Sequence, residues 1–340
     1  MQDGDILTLD GDVLLNLLDG EELRIVDIIR DAYLLHAQGL TDVPHSLFLT
    51  PPGNQGNRFI ALPAYLQAEE GVAGVKWIGS FPGNLERGLD RASALIILNA
   101  ADTGRPVAIV EGSVISAKRT AASAALAARI LHADNDASAV GLIGCGVINF
   151  EVIRFLNAVL PGISRLTLFD TSQSRAALFG ERCAARMPGV SIAVADSIDA
   201  LLGSASLISM ATTASKPHIR SLDACPAGST ILHVSLRDLD PDVMVSSDNV
   251  VDDADHVFRA QTSLHLAEAS VGHRDFVRCS IGEILTGAFA PRGSHDRHVV
   301  FSPFGLGILD LALANAALKW GIQARATGIL KSFLPTRAML

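Results

Sequence analysis

The spacing of apolar and polar residues changes character several times along the chain. Over residues 11–39, leucine, isoleucine and valine recur at helical spacing until Gly39, which predicts a helical start. From 43 to 110, turns rich in Pro, Gly and Asn separate short apolar runs at 59–62, 74–78, 94–98 and 107–110, a pattern that predicts strands. The last two runs flank Asp102-Thr103-Gly104 and are expected to form a hairpin.

A helix rich in small residues is predicted over 113–132, and strand and helix patterns alternate after it. Strand patterns at 140–143, 166–169, 192–194, 207–210, 230–234 and 249–251 are separated by helical ones, which indicates βαβ units. The helical tail over 305–330 has no place in that series and is expected to return to the first domain. The predicted fold is therefore α/β, a Rossmann-type doubly wound parallel sheet plus a mixed α+β domain.

Length, charge and cysteine usage narrow the class of protein. At 340 residues the chain is expected to form two domains, residues 1–120 with 300–340 and residues 121–299. A net charge of -9 argues against nucleic acid or an anionic membrane as a partner. The four cysteines are widely spaced, no apolar run is long enough to span a bilayer, and the N-terminus is acidic, so a cytoplasmic protein with reduced thiols is expected.

The segment Gly144-Cys145-Gly146-Val147-Ile148-Asn149 lies where a strand should become a helix. Glycines at such a turn let a pyrophosphate approach the N-terminus of the helix, although Asn149 replaces the third glycine of the usual fingerprint. Asp170 ends the next strand, where a carboxylate binds the ribose hydroxyls of NAD and repels the 2′-phosphate of NADP. NAD is therefore the predicted cofactor, although nearby Arg175 is a feature of NADP sites, and Asp170 could instead cap the helix near Gln173.

The expected cofactor-binding residues come from this turn and from the carboxyl ends of the strands around it. They are Gly144, Gly146, Val147, Ile148, Asn149, Asp170, Thr212, Thr213 and Ser235. Cys145 is interpreted as a small buried residue without a catalytic role. The acidic run from Asp252 to His256 is interpreted as helix-capping carboxylates, so no metal is predicted.

Three charged residues are candidates for the chemistry. Lys76 interrupts an apolar strand, so its side chain either reaches solvent or faces a cavity that contains an anion. Arg119 could clamp a substrate carboxylate or form a surface ion pair, and Lys118 beside it is expected to face solvent. Asp238 follows a strand at the carboxyl edge of the sheet, where it could accept a proton from a substrate amine or simply pair with Arg237.

In this order, Lys76, Arg119, the glycine turn and Asp238 resemble the ornithine cyclodeaminase/μ-crystallin family over nearly the whole chain. Longer phrases resemble its branch that makes 2,3-diaminopropionate. They are Lys76-Trp77-Ile78-Gly79-Ser80-Phe81-Pro82-Gly83-Asn84, Leu89-Asp90-Arg91-Ala92-Ser93-Ala94, Glu111-Gly112-Ser113, Arg119-Thr120-Ala121-Ala122-Ser123, Ser235-Leu236-Arg237-Asp238-Leu239 and Ser302-Pro303-Phe304-Gly305-Leu306-Gly307.

The resemblance implies a homodimer whose first domain binds the substrate and dimerises and whose second domain binds NAD. It implies oxidative cleavage of N-(2-amino-2-carboxyethyl)-L-glutamate to 2-oxoglutarate and L-2,3-diaminopropionate, for siderophore or peptide natural-product synthesis. By the same resemblance, Lys76 and Arg119 bind a carboxylate of this small amino-acid substrate, Asp238 is the acid/base, and Lys76 assists catalysis. His45 stands near the position of a carboxylate-binding arginine of ornithine cyclodeaminases, and Arg58 is expected to substitute for that arginine.

Other functions remain open at this point. An ornithine cyclodeaminase would use the same hydride chemistry and close the ring to proline with release of ammonia. An alanine dehydrogenase or imine reductase activity is a third possibility among enzymes. A non-catalytic nucleotide- or ligand-binding protein of the μ-crystallin type is the alternative from a different class.

Overall fold

The computed structural model describes residues 2–53, 56–67, 71–132 and 135–335. The chain divides into two compact units: unit 1 contains residues 1–119 and 306–340, and unit 2 contains residues 120–305. The first boundary falls within one continuous helix. Elements are numbered below in chain order.

Unit 1 is built on a mixed eight-stranded sheet in the order β16-β1-β7-β6-β5-β4-β2, with β3 paired to β4. Its strands are β1 Ile6–Leu9, β2 Thr41–Asp42, β3 Leu47–Leu49, β4 Arg58–Leu66, β5 Val72–Ser80, β6 Ala92–Ala100, β7 Pro106–Glu111 and β16 Gly328–Leu330. Its helices are α1 Gly11–Leu17, α2 Glu22–Ala37, α11 Gly307–Gln323 and the first part of α3 Gly112–Leu131, with a 3-10 helix over Pro82–Arg87.

The two faces of this sheet differ sharply in burial. Helix α11 packs on β4, β5 and β6, and side chains on that face, such as Leu62, Lys76 and Ile96, are buried. The register places these three residues side by side across the strands. Because side chains alternate along a strand, the neighbouring residues point to the opposite face, where Trp77 and Leu95 are exposed.

Unit 2 is an eight-stranded parallel sheet in the order β10-β9-β8-β11-β12-β15-β13-β14. Its strands are β8 Ala139–Ile143, β9 Arg165–Phe169, β10 Ser191–Val194, β11 Leu207–Met210, β12 Thr230–His233, β13 Asp248–Val251, β14 Val277–Ser280 and β15 Val299–Ser302. Its helices are the rest of α3, α4 Val147–Val159, α5 Gln173–Arg186, α6 Ile198–Leu202, α7 Pro241–Ser246, α8 Ala254–Val257, α9 Ser263–Val271 and α10 Ile281–Leu285. The strand order reverses direction between β8 and β11, and ligands of such sheets bind at the carboxyl ends of the strands that flank this reversal.

The predicted α/β fold with its doubly wound parallel sheet is confirmed, and so is the hairpin of β6 and β7. The tail predicted to be helical over 305–330 contains α11, but this helix ends at Gln323 and residues 328–330 form β16. Strand β15 differs from the expected organisation. The sequence places residues from 300 onward with the first domain, whereas β15 pairs with both β12 and β13, so unit 2 continues to Gly305. Within the described residues, no helix has both the length and the apolar composition needed to cross a membrane.

Candidate active site

The glycine-rich turn joins β8 to α4 in unit 2. Gly144 has φ +90°, and a Cβ there would lie 2.5 Å from the Ala211 carbonyl oxygen, so only glycine fits this position. Gly146 is the N-cap residue of α4 and supplies no side chain to the first-turn N–H groups. A Cβ at Gly146 would meet nothing within 4 Å. The turn therefore fits a pyrophosphate, which needs open space above uncapped N–H groups at a helix N-terminus.

The first residues of α4 have different roles in this turn. Val147 is 60% exposed and Ile148 is half-buried, whereas Asn149 is fully buried. The Asn149 amide nitrogen donates to the carbonyl oxygens of Ile143 and Gly144, at 2.9 and 2.8 Å, and its oxygen accepts from Ser209 Oγ at 2.7 Å. The residue in the third glycine position therefore holds the turn in shape from below.

Asp170 follows β9 and faces the same turn. Its Oδ2 accepts from the backbone N–H of Cys145 at 2.9 Å, and its Oδ1 lies 3.2 Å from Nη1 of Arg175. The alternative that Asp170 caps the following helix is wrong, because Ser172 is the N-cap of α5 and accepts from the Arg175 N–H. Cys145 is buried, and this burial together with the charge of Asp170 raises the pKa of its thiol to about 12, as expected of an unreactive thiol.

Asp238 lies after β12 and is completely buried. The hydroxyl groups of Thr212 and Ser235 each donate a hydrogen bond to its carboxylate, and His233 Nε2 lies 3.4 Å from its Oδ2. Burial by itself raises the pKa of Asp238, but the interactions with His233, Ser235 and Thr212 outweigh it and lower the pKa to about 2. Asp238 is therefore a firmly held carboxylate, and two residues expected at the cofactor, Thr212 and Ser235, hold it.

The residues that precede Asp238 in the chain have contacts or a backbone conformation of their own. His233 is a buried core histidine, as expected, with Nδ1 3.1 Å from Ser302 Oγ. Arg237 donates from Nη2 to the Ala260 carbonyl oxygen at 2.6 Å. Leu236 has φ +70°, a conformation that is strained for a branched side chain and is found mainly at functional loops.

His218 is a candidate residue that the sequence pattern did not indicate. Its Nε2 lies 3.9 Å from Asp238 Oδ1, and 35% of its side chain is exposed. The backbone N–H groups of His218 and Ile219 both donate to the Asp238 carbonyl oxygen at 2.9 Å, which fixes the two segments together. His218 therefore connects a buried carboxylate with solvent, and a sequence separation of twenty residues concealed this.

Lys76, Arg119 and Asp310 form a buried cluster in unit 1. Lys76 Nζ lies 2.8 Å from one carboxylate oxygen of Asp310, and Arg119 Nε lies 3.1 Å from the other. Ser116 Oγ also accepts from Lys76 at 3.2 Å. Lys76 therefore does not reach solvent, and the anion that it faces is the Asp310 carboxylate; Arg119 is not a surface residue either. Asp310, which was not predicted, joins the two cations.

The charges of this cluster do not cancel. Two cations face one carboxylate, which leaves one positive charge in excess at side chains that are only 3%, 11% and 0% exposed. Burial, opposed by Asp310 and assisted by Arg119, lowers the pKa of Lys76 to about 8. The cluster therefore suits an anionic ligand group. Lys118, which is expected to face solvent, is instead buried.

The remaining predicted site residues are more exposed than Lys76, Arg119 and Asp238. Arg58 is the first residue of β4 and is half-buried, and His45 is exposed in the segment between β2 and β3. Thr213 is exposed beside Thr212. Asp253 caps α8, as expected of the acidic run, and among the described residues no group of three or more His, Cys, Asp or Glu side chains is arranged to hold a metal.

Three known proteins are similar to the chain over most of its length. N-((2S)-2-amino-2-carboxyethyl)-L-glutamate dehydrogenase of Staphylococcus aureus is 28% identical over 85% of this chain and 87% of that protein. The crystal structure of CmnK matches with a TM-score of 0.87 and 29% identity, over 97% of this chain and 99% of CmnK. An archaeal alanine dehydrogenase dimer with bound NAD matches with a TM-score of 0.85 and 25% identity, over 96% and 99% of the two chains.

The expectations of an oxidoreductase and of NAD as its cofactor are confirmed at the level of these relatives. The sequence model that describes the ornithine cyclodeaminase/mu-crystallin family matches residues 21–318, which include the Lys76 cluster, the glycine turn and Asp238. The resemblance stated from the residues is confirmed as well. The chain belongs to the ornithine cyclodeaminase/mu-crystallin family.

Proposed function

We propose that this chain is an NAD-dependent oxidoreductase that cleaves N-(2-amino-2-carboxyethyl)-L-glutamate to 2-oxoglutarate and L-2,3-diaminopropionate. The observation that carries the proposal is the buried excess of positive charge at Lys76, Arg119 and Asp310, in a chain similar to a dehydrogenase of that substrate. The diaminopropionate would serve siderophore or peptide natural-product synthesis.

Unit 1 binds the substrate in this proposal. A buried cation without a compensating anion is unfavourable, so a carboxylate that binds beside Lys76 and Arg119 neutralises the excess charge. The α-carboxylate next to the carbon that is oxidised is such a group. Asp310 holds both cations in place before the substrate arrives, which reduces the cost of ordering their long side chains on binding.

Unit 2 binds the cofactor. Gly144 and Gly146 shape the turn for the pyrophosphate, Val147, Ile148 and Thr213 line it, and Asp170 accepts hydrogen bonds from the adenosine ribose hydroxyls. The cradle above Gly146, which a Cβ would fill, fits this group. When bound, NAD supplies the acceptor for the hydride that leaves the glutamate α-carbon.

Asp238 and His218 handle the proton that leaves the substrate nitrogen. Hydride loss from carbon and proton loss from nitrogen leave a C=N bond, and addition of water with departure of the amine gives 2-oxoglutarate and diaminopropionate. With a pKa of about 2, Asp238 stays ionised and retains a proton weakly, so it orients the amine N–H and passes its proton on rather than keeping it. His218, 3.9 Å away and exposed, passes that proton to solvent.

Unit 1 also forms the homodimer in this proposal. Leu47, Trp77 and Leu95 lie in one row across the sheet, with Ala61 between the first two, and are 69%, 41% and 39% exposed. An apolar row of this kind on the face opposite α11 is typical of an interaction surface. Light scattering on Trp77→Glu tests this, because a charge in the interface should shift the protein toward the monomer. A monomeric wild-type protein would contradict the dimer.

Product analysis tests the proposed reaction. Purified protein is mixed with NAD and one substrate in each of three reactions. The substrates are the glutamate conjugate, ornithine and alanine. NADH with 2-oxoglutarate from the conjugate supports the proposal. Proline and ammonia from ornithine would indicate a cyclodeaminase, and pyruvate from alanine would indicate the activity of the archaeal relative. Absence of NADH with all three substrates would favour a non-catalytic binding protein.

A further inference from the structure

Ser116 lies beside the Lys76 cluster on helix α3. Its Oγ accepts a hydrogen bond from Lys76 Nζ at 3.2 Å. Residues three apart in a helix share a face, so α3 presents the hydroxyl of Ser116 and the guanidinium of Arg119 on the same side. Ser116 is half-buried, whereas Lys76, Arg119 and Asp310 are buried. A ligand that enters the cluster from solvent can therefore contact Ser116.

The hydroxyl proton of Ser116 has no acceptor among the described residues. A hydroxyl that accepts one hydrogen bond can still donate another. Serine in a helix commonly donates to the carbonyl oxygen one turn earlier, as Ser246 does to Asp242 at 2.9 Å. Ser116 forms no such bond in the described part of the chain, where its hydrogen bond is the one from Lys76. Its O–H is therefore available to a ligand.

Lys76 and Arg119 have further donors of their own. The Lys76 ammonium uses two of its three N–H groups, one for Asp310 and one for Ser116. The Arg119 guanidinium uses Nε for Asp310, and its two Nη nitrogens form no hydrogen bond with another described residue. A carboxylate has about four lone-pair sites, so one carboxylate can accept from all three side chains together.

We propose that Ser116 is a third residue that binds the α-carboxylate of the substrate, through a hydrogen bond donated by its hydroxyl. The inference rests on the proposed function, which places that carboxylate at Lys76 and Arg119. The two cations supply the charge, and Ser116 adds direction, because a hydroxyl that accepts from Lys76 can donate only away from it. Donors from a strand and a helix then hold the carboxylate, and with it the adjacent α-carbon, in one orientation.

Equilibrium binding to the NADH-loaded protein tests this without turnover, since NADH cannot accept a hydride. Calorimetry measures the affinity for the glutamate conjugate. In Ser116→Ala the affinity should fall about tenfold to a hundredfold, the range for a hydrogen bond to a charged group. Ser116→Thr keeps a hydroxyl and should restore most of the affinity.

Ser113→Ala is the matched control, because Ser113 lies one turn earlier in α3 and its Oγ accepts from the Ala94 N–H at 3.0 Å. Removal of that acceptor should lower the melting temperature but leave the affinity for the conjugate unchanged. A loss of affinity in Ser116→Ala is therefore distinguished from a general weakening of the helix.

A second background separates direct binding from an effect that acts only through Lys76. Lys76→Met removes the ammonium and leaves Arg119 and Asp310 as a balanced ion pair, so this variant should fold, which circular dichroism checks. In Lys76→Met, Ser116→Ala should still lower the affinity, because the hydroxyl donates to the substrate itself.

The outcome for Ser116 is independent of which amino acid is oxidised. The α-carboxylate is common to the conjugate, ornithine and alanine, so the comparison is made with whichever of them wild type binds. Wild-type affinity in Ser116→Ala, or no effect of this substitution in Lys76→Met, would overturn the inference even if the conjugate is turned over. The expected losses of affinity for the conjugate, without formation of NADH from NAD by wild type, would instead refute the proposed function alone.

Discussion

Lys76 and Asp310 form a buried ion pair although 234 positions separate them in the chain. The pair joins strand β5 to the helix that covers it, and Arg119 binds the other oxygen of the same carboxylate. Within the part of the chain that the structure describes, Asp310 is therefore the anion with which both buried cations pair.

Asp310→Asn should destabilise the protein strongly. Removal of one partner from a buried ion pair costs about 3–5 kcal/mol, because the remaining charge keeps its desolvation penalty. Urea denaturation at pH 7 measures the free energy of unfolding. As a control, Asp27→Asn breaks an exposed ion pair with Arg30 and should change it by no more than about 0.5 kcal/mol. Equal effects of the two substitutions would show that the cluster is not held by Asp310.

Lys76 should make kcat/KM of the enzyme fall at alkaline pH. Its pKa is lowered to about 8, so the side chain is cationic below pH 8 and loses its proton as the pH rises above it. The neutral amine attracts a carboxylate poorly. The ratio of kcat/KM between wild type and Lys76→Arg, in which the charge persists, should fall about tenfold per unit above pH 8. A ratio that does not change between pH 7 and 10 would exclude Lys76 as the binding cation.

Asp238→Asn should retain the fold and lose turnover. The amide has the shape of the carboxylate but cannot accept the amine proton, so kcat should fall about a hundredfold to ten-thousandfold. Binding of NADH, followed by its fluorescence, should stay close to that of wild type. Asp242→Asn, at an exposed position in α7, is the control and should be fully active. An active Asp238→Asn protein would remove Asp238 from the mechanism.

His218→Gln separates a role in proton transfer from a role in structure. Glutamine has no ring nitrogen that can take up the proton, so kcat should fall about tenfold or more while the melting temperature stays close to that of wild type. Imidazole added to the variant should restore part of the lost kcat. His273→Gln, exposed in the same unit, should keep wild-type activity. An unchanged kcat in His218→Gln would exclude His218 from the proton transfer.

The two glycines of the turn should respond differently to alanine. Gly144→Ala introduces a Cβ against the Ala211 carbonyl at a positive φ, so it should lower the melting temperature as well as the affinity for NADH. Gly146→Ala should melt like wild type, because its Cβ meets no protein atom, but should bind NADH more weakly. Unchanged NADH affinity in Gly146→Ala would place the pyrophosphate elsewhere.

The sequence predicted what depends on local pattern. Periodicity identified the doubly wound sheet, the long strands β4 to β7 and the helix α11, and glycine spacing located the turn. It did not identify β1, β2, β3, β14, β15 or β16, none of which is longer than four residues. The domain boundary at residue 300 was wrong, since only the pairing of β15 with β12 and β13 shows that this segment belongs to unit 2.

Only those residues of the candidate site that stand out in the local sequence pattern were predictable. Lys76, Arg119 and Asp238 stood out because each charge interrupts or follows an apolar run. Asp310 did not, since one acidic residue in a long helix looks like a surface position until the helix is packed. His218 likewise acquires its neighbours only through loop contacts that local spacing does not encode.

The pairing of β1 with β16 has a consequence for biosynthesis. Ile6 pairs with Leu330, and α11, which covers β4 to β6, also follows unit 2 in the chain. Unit 2 is contiguous, so it can fold on the ribosome as soon as residue 305 has emerged. Residues 1–119 must wait, with the apolar face around Lys76 uncovered, until α11 has emerged after unit 2. During that interval the nascent chain should depend on chaperones, and messages truncated before α11 should yield aggregates rather than a smaller enzyme.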